Sequence, residues 1–208
     1  MDGLVPQSIG WYGKLPCRGD FVGRGLPRAW LRSWDDWLQR SLASAAPRLG
    51  ATLREHLLAM SPWQCVVLPA QSGLPAWCGV VAPSTDRVGR TFPLLLAEAC
   101  DAAALDGVEL AALQARARYL NRWLSQSRTL SSPREFEMGA AQLGSTPWTC
   151  IAPDHAQADD SFARLRAAWP VAASFWWRVD PAGDMHAPLA EPWPPRESLI
   201  LDMLGRIG

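Results

Sequence analysis

The sequence has almost no lysine. Lys14 is the sole one among the 20 Lys and Arg residues, and 20 Asp and Glu residues balance them to a formal net charge of +0. A neutral chain has no global field to gather nucleic acid or an anionic membrane surface, so neither partner is expected. The arginine bias reads as compositional, because guanidinium forks acquire meaning only against a located partner. Long apolar runs are also missing. None approaches the about 20 residues that a membrane span requires, so membrane insertion is not expected. Cysteine is sparse and unpatterned: Cys17, Cys65, Cys78, Cys100 and Cys150 form an odd set without a C-x-x-C pair. No secretory leader is read ahead of them, so reduced thiols and a cytoplasmic setting are expected, with Cys65 and Cys78 as small buried hydrophobes in strand-like runs. The histidines His56, His155 and His186 show neither zinc-ligand spacing nor a Ser or Asp partner at motif distance, so no metal, cofactor or hydrolase triad is signalled.

What is present is the composition of a folded domain: 208 residues, 49% hydrophobic and 19% charged, long enough for one core over residues 1–208. The 12 tryptophans are the unusual component. Most must be structural, and any exposed one is a candidate interface anchor. Residues 8–14 alternate and carry aromatics, and residues 20–22 follow a turn-rich stretch, which predicts two short strands or a strand and a loop. From Pro27 the period turns helical. Trp30, Trp34 and Trp37 with Leu31, Leu38 and Leu42 share one face, and Arg32, Asp35, Asp36, Gln39 and Arg40 form a solvated one. Pro47 interrupts this pattern, and a second helix is expected over 47–60, stopping before Ser61 and Pro62. Strands are predicted at 63–69, 76–82 and 91–99. Asp106 and Glu109 read as a capping box opening a long helix lined by Leu110, Leu113, Ala117, Leu120 and Leu124. Beyond a loop at Ser131, Ser132 and Pro133, helices are expected over 133–143 and 160–168, a strand over 172–179 and a closing helix over 196–207. Without strict βαβ alternation, the fold class is α/β in the α+β sense: a mixed or mostly antiparallel central sheet of about five strands flanked by helices, by analogy of the longin or profilin kind.

Three polar segments invite chemical readings. Gly10-Trp11-Tyr12-Gly13-Lys14 has the wrong spacing for a phosphate loop, and Leu15 stands where a hydroxyl is needed, so its glycines are read as permitting close backbone approach. Arg18-Gly19-Asp20 reads as a turn in which Arg18 and Asp20 hydrogen-bond locally. Residues 84–90 place Ser84, Asp86, Arg87 and Arg90 between apolar strands. Either Asp86, Arg87 and Arg90 receive a partner's acidic or phosphorylated segment, or Asp86 pairs with one arginine and braces the turn. An enzyme or phosphate-binding protein using this loop is the competing function.

Two segments also carry a resemblance. Gly10-Trp11-Tyr12-Gly13-Lys14-Leu15-Pro16-Cys17-Arg18-Gly19-Asp20-Phe21-Val22, continuing to Trp34-Asp35-Asp36-Trp37-Leu38, resembles the opening signature of the TagF or ImpM family. Trp77-Cys78-Gly79-Val80 and Pro83-Ser84-Thr85-Asp86-Arg87-Val88-Gly89-Arg90-Thr91-Phe92-Pro93-Leu94 resemble that family's W-x-G-V strand and P-S-x-D-R-V-G-R-x-F-P loop, and Ser174-Phe175-Trp176-Trp177 its S-x-W-W strand. The resemblance implies a non-enzymatic bacterial regulator of type VI secretion, acting after translation to restrain it. It further implies a tie to a forkhead-associated scaffold and to threonine phosphorylation. Ser84, Asp86, Arg87, Arg90, Arg18 and Asp20 are the partner-binding candidates.

Overall fold

The computed structural model describes residues 8–71, 73–130, 132–146, 161–179 and 187–205. Ser131, Cys150, His155, His186 and the outer ends of the helices expected over 160–168 and 196–207 lie outside the described residues. The elements run β1 (Ser8–Gly13), β2 (Val22–Arg24), α1 (Arg28–Leu49), a 3-10 turn, α2 (Leu53–Ala59), β3 (Trp63–Val67), β4 (Ala76–Ala82), β5 (Leu94–Cys100), α3 (Ala102–Asp106) and α4 (Leu110–Ser127). There follow α5 (Pro133–Gly144), α6 (Phe162–Ala168), β6 (Ser174–Arg178), β7 (Leu189–Glu191) and α7 (Leu199–Gly205). All seven strands join one sheet in the order β2-β1-β5-β4-β3-β6-β7, and every pairing is antiparallel.

Helices cover both faces of this sheet, so β3, β4 and β5 are buried along their whole length. That is why these strands read as continuous apolar runs instead of the alternation of a half-solvated antiparallel sheet. One face is a tryptophan layer. Trp34 and Trp37 of α1 meet Trp63, Trp77 and Trp176 of the strands and the α7 residues Leu199, Ile200, Met203 and Leu204. The Trp34 ring stacks at 6.0 Å on Trp176 and tilts at 5.1 Å against Trp37. Indole N–H groups find acceptors where they can: Trp176 Nε1 donates to Ser174 Oγ at 2.9 Å and Trp37 Nε1 to the Arg196 carbonyl at 3.2 Å. The opposite face packs Val80, Leu94 and Leu96 against Ala117, Leu120 and Leu124 of α4 and against Phe136 and Ala140 of α5. Into this second face points Glu98, fully buried, bonded by both guanidinium arms of Arg116 with Nε to Oε2 at 2.9 Å; Arg116 also donates to the Leu143 carbonyl at 3.0 Å.

Several local expectations need correction. Pro47 does not end α1, which runs on to Leu49. Leu38, Leu42, Ala45 and Leu49 keep one stripe on the core, and a lost backbone bond so near the end costs less than breaking that stripe. Asp106 closes α3 instead of opening α4. The cap of α3 is Asp101, which accepts from the Ala103 and Ala104 amides at 2.8 and 3.0 Å. Glu109 precedes α4 without a side-chain cap, because the Val108 carbonyl takes the Phe162 amide and Glu109 pairs with Ser161. The fifth strand starts at Leu94 and not at residue 91, since Thr91 is engaged with Thr85 and Pro93 has no amide to donate. Among the described residues seven strands stand where about five were expected: β2 forms at Val22–Arg24, beside the strand or loop read over residues 20–22, and β7 is a three-residue edge with no readable pattern.

Candidate functional site

The connection between β4 and β5 is a miniature hairpin held by its own backbone. The Phe92 amide donates to the Ser84 carbonyl and the Asp86 amide to the Arg90 carbonyl, both at 3.0 Å, and the Gly89 amide closes the turn on the Asp86 carbonyl at 3.0 Å. Gly89 lies at φ +82°, a region that only glycine enters without strain. The Asp86 side chain completes the turn from inside: Oδ1 accepts the Val88 amide at 3.0 Å and the Arg90 amide at 2.9 Å.

The second Asp86 oxygen fastens the hairpin to the segment after β1. Oδ2 accepts from Lys14 Nζ at 2.9 Å and from Arg90 Nε at 2.7 Å. Ser84 Oγ donates to the Lys14 carbonyl at 2.7 Å, the Arg87 amide donates to the Arg18 carbonyl at 2.8 Å, and Arg90 Nη2 donates to the Gly19 carbonyl. Lys14 reaches this position because Gly13 lies at φ +149° with its Cα against β5, where a Cβ would stand 2.6 Å from the Pro93 carbonyl oxygen. Aromatics close over the ion pair: Phe21 lies 5.2 Å from Lys14 Nζ, edge-on to Phe92 at 4.6 Å and stacked on Tyr12 at 5.7 Å.

Burial alone would raise the Asp86 carboxyl. The bonds from Lys14, from the Arg90 amide and guanidinium and from the Val88 amide outweigh it and hold the group well below the usual carboxylate range. With four donors on two oxygens, Asp86 has no lone pair facing a substrate and no affinity for a proton near neutrality. It is a strut. Tyr12 is pushed the other way, upward, by burial and by its 2.8 Å bond to Asp35. The Cys65 thiol is pushed up to about 12 by burial, and Cys78 is raised by a hydrogen bond with Cys100 together with burial, so these sulfurs are inert hydrophobes.

The six predicted residues therefore come together but divide into two kinds. Ser84 and Asp86 are buried, whereas Arg18, Asp20, Arg87 and Arg90 are exposed. The Arg18 amide makes a local turn bond, donating to the Leu15 carbonyl at 2.9 Å; among the described residues the Arg18 and Asp20 side chains make no hydrogen bond, and the Arg18 and Gly19 carbonyls serve the hairpin. Two contributors escaped the sequence reading. Lys14 reads in the sequence as a lysine with the wrong spacing for a phosphate loop and as part of the Gly10–Val22 signature, and neither reading points to Asp86. Arg54, from α2, lies with Nε within 3.5 Å of the Gly89 carbonyl, and nothing in the sequence pointed to it. Among the described tryptophans, Trp169 after α6 is the exposed one.

Among curated proteins, none matches this chain. Among solved structures, the crystal structure of PA0076 from Pseudomonas aeruginosa PAO1 at 2.05 Å resolution is similar, with 29% identity and a TM-score of 0.69 over 96% of this chain and 93% of that one. The profile of the TagF N-terminal domain, type VI secretion system-associated, matches residues 10–143, a span from β1 into α5 that contains Lys14, Arg18 and the whole hairpin. With most of its length covered by that match, the chain belongs to the type VI secretion system-associated TagF N-terminal domain family.

Proposed function

We propose that this chain is a regulatory accessory protein of type VI secretion. In this reading it represses the apparatus after translation, in the cytoplasm, by binding a protein partner of the forkhead-associated scaffold kind, and it catalyses no reaction. The contact is made by the exposed members of the candidate set: Arg87 and Arg90 on the hairpin, Arg18 and Asp20 beside it. The observation that carries this reading is the construction of the hairpin inside a family-matched segment. Its one carboxylate is spent on holding a turn rigid while its arginines are left facing solvent. A preorganised surface of this kind lowers the ordering cost of binding. The competing reading is an enzyme or phosphate-binding protein using this loop: an enzyme with Asp86 as base or ligand meets four donors already occupying that carboxylate, while phosphate binding would call on the same exposed arginines.

Deleting the protein from a strain with a working apparatus tests the regulatory reading. Secretion should rise and fall back on complementation; unchanged secretion would end the repressor assignment.

A further inference from the structure

Three guanidinium groups, of Arg87, Arg90 and Arg54, stand around the hairpin tip, and the exposed Arg18 is tied to it by its backbone. Arg90 is pinned by Asp86 and the Gly19 carbonyl, yet its side chain remains 60% exposed. Arg87 follows the strut, and its Nη2 lies 4.0 Å from where a Cβ on Gly19 would be. Arg18 is joined to Arg87 through the backbone, and Arg54 reaches Gly89, with Nη2 3.9 Å from a Cβ built there. Arg18 and Arg87 place their side chains in no hydrogen bond or ion pair among the described residues. Asp20 and Glu55, next in sequence to Gly19 and Arg54, are exposed carboxylates, and Asp86 is paired with both Lys14 and Arg90. In a chain of formal net charge +0, the face is a local excess of positive charge. It is not purely polar, because Val88 at the tip is 66% exposed and Phe21 beside it 43%.

We propose that this face receives a carboxylate-rich segment of a partner protein, with an apolar residue of that segment set against Val88 and Phe21. The proposal rests on the protein-binding reading above and gives the partner a chemistry. Arginine forks match carboxylates bidentately, and uncommitted ones beside an exposed apolar tip suit a mixed acidic and apolar strand. Arg87 and Arg90 both reach Gly19 while Arg54 lies at Gly89, so a segment carrying more than one carboxylate can meet both places where a single phosphate meets one.

The test is fluorescence anisotropy with the full chain and a labelled peptide of about ten residues alternating Asp and Glu around one Phe. Comparison probes are its Asn and Gln counterpart, a phosphothreonine peptide lacking carboxylates, and phosphatidylglycerol vesicles. Arg18→Ala/Arg87→Ala is set against Arg122→Ala/Arg134→Ala, which removes the same charge from exposed positions on α4 and α5. Wild type should bind the acidic peptide and not the amide one, weakening as salt rises from about 50 to about 300 mM. The first variant should lose about tenfold in affinity and the second should match wild type. Equal loss in both variants, equal binding of the amide peptide, or binding of only the phosphopeptide or the vesicles overturns the proposal. The two readings separate in the secreting strain. If deletion raises secretion but Arg18→Ala/Arg87→Ala behaves as wild type, the acidic contact falls and the regulator stands. If deletion changes nothing, the regulator falls whatever the peptide does.

Discussion

Glu98 and Asp86 are both carboxylates withdrawn from water, yet the cations that satisfy them end in different places. Under α4, Arg116 is as buried as its partner, with side-chain exposures of 2% and 0%. At the hairpin, Asp86 is just as enclosed, but of its two cations only Lys14 is sealed in, while Arg90 emerges into solvent. Removing one partner from a closed pair strands a charge inside the protein, so such a pair contributes to the fold and to little else. An open pair fixes a loop and at the same time sets the direction of a surface arginine. The contact proposed above uses an open pair of this kind, and the Glu191–Arg196 pair, with a buried carboxylate and an exposed guanidinium, is built the same way.

The largest break is expected at the closed pair. Arg116→Met leaves Glu98 without its main partner and should cost about 3–5 kcal/mol in urea unfolding, with most of it recovered in the double variant Glu98→Leu/Arg116→Met. If the single variant is nearly neutral, the pair is not closed. At the open pair, Asp86→Asn turns an amide donor toward Lys14 and Arg90 and should lower Tm by about 10 °C in a thermal melt. The pH sign follows from the depressed carboxyl. Its stabilisation is complete above the unfolded value of about 3.9 and is lost as pH falls below it toward the lower folded value. Wild type should therefore lose stability more steeply than Asp86→Asn below about pH 4. A parallel acid profile would show that the carboxylate is not held as described.

Smaller effects sharpen the contrast between strut and surface. Arg18→Ala and Arg87→Ala should each change unfolding free energy by less than about 0.5 kcal/mol, since neither side chain bonds to anything in the fold among the described residues. A large loss for either would return these arginines to the structural side. The smallest signal is chemical: at about pH 8, peptide mapping after alkylation should find half-buried Cys17 modified well before Cys65, Cys78 or Cys100.

Much of this fold was legible before the structure, and the reasons are particular. The Trp30, Trp34, Trp37 stripe marked α1 because helical period and burial agree there. The runs at β3, β4 and β5 were bounded correctly within a few residues because Gly, Pro and Ser flank them. Pro47 and the Asp106–Glu109 pair misled because local propensity was overruled by tertiary demand: a core stripe in one case, and backbone contacts with α6 in the other. The edge strand β2 was readable only as a strand or a loop near residues 20–22, and β7 exists through pairing alone. At the site, the loop and its residues were visible as a polar island between strands, and the choice between binding and bracing was undecidable there because it depended on a partner 72 residues away, Lys14. Asp86 braces, as one reading had it, but with a lysine as well as an arginine.

The measurement closest to the central claim is secretion in a competent strain carrying, at the native locus, wild type, a deletion, Arg18→Ala/Arg87→Ala, or Arg122→Ala/Arg134→Ala, with protein levels confirmed equal where protein is made. The account predicts that the deletion and the hairpin variant both release secretion while the remote arginine variant stays repressed. A hairpin variant that represses as fully as wild type, or a deletion that leaves secretion where it was, contradicts it.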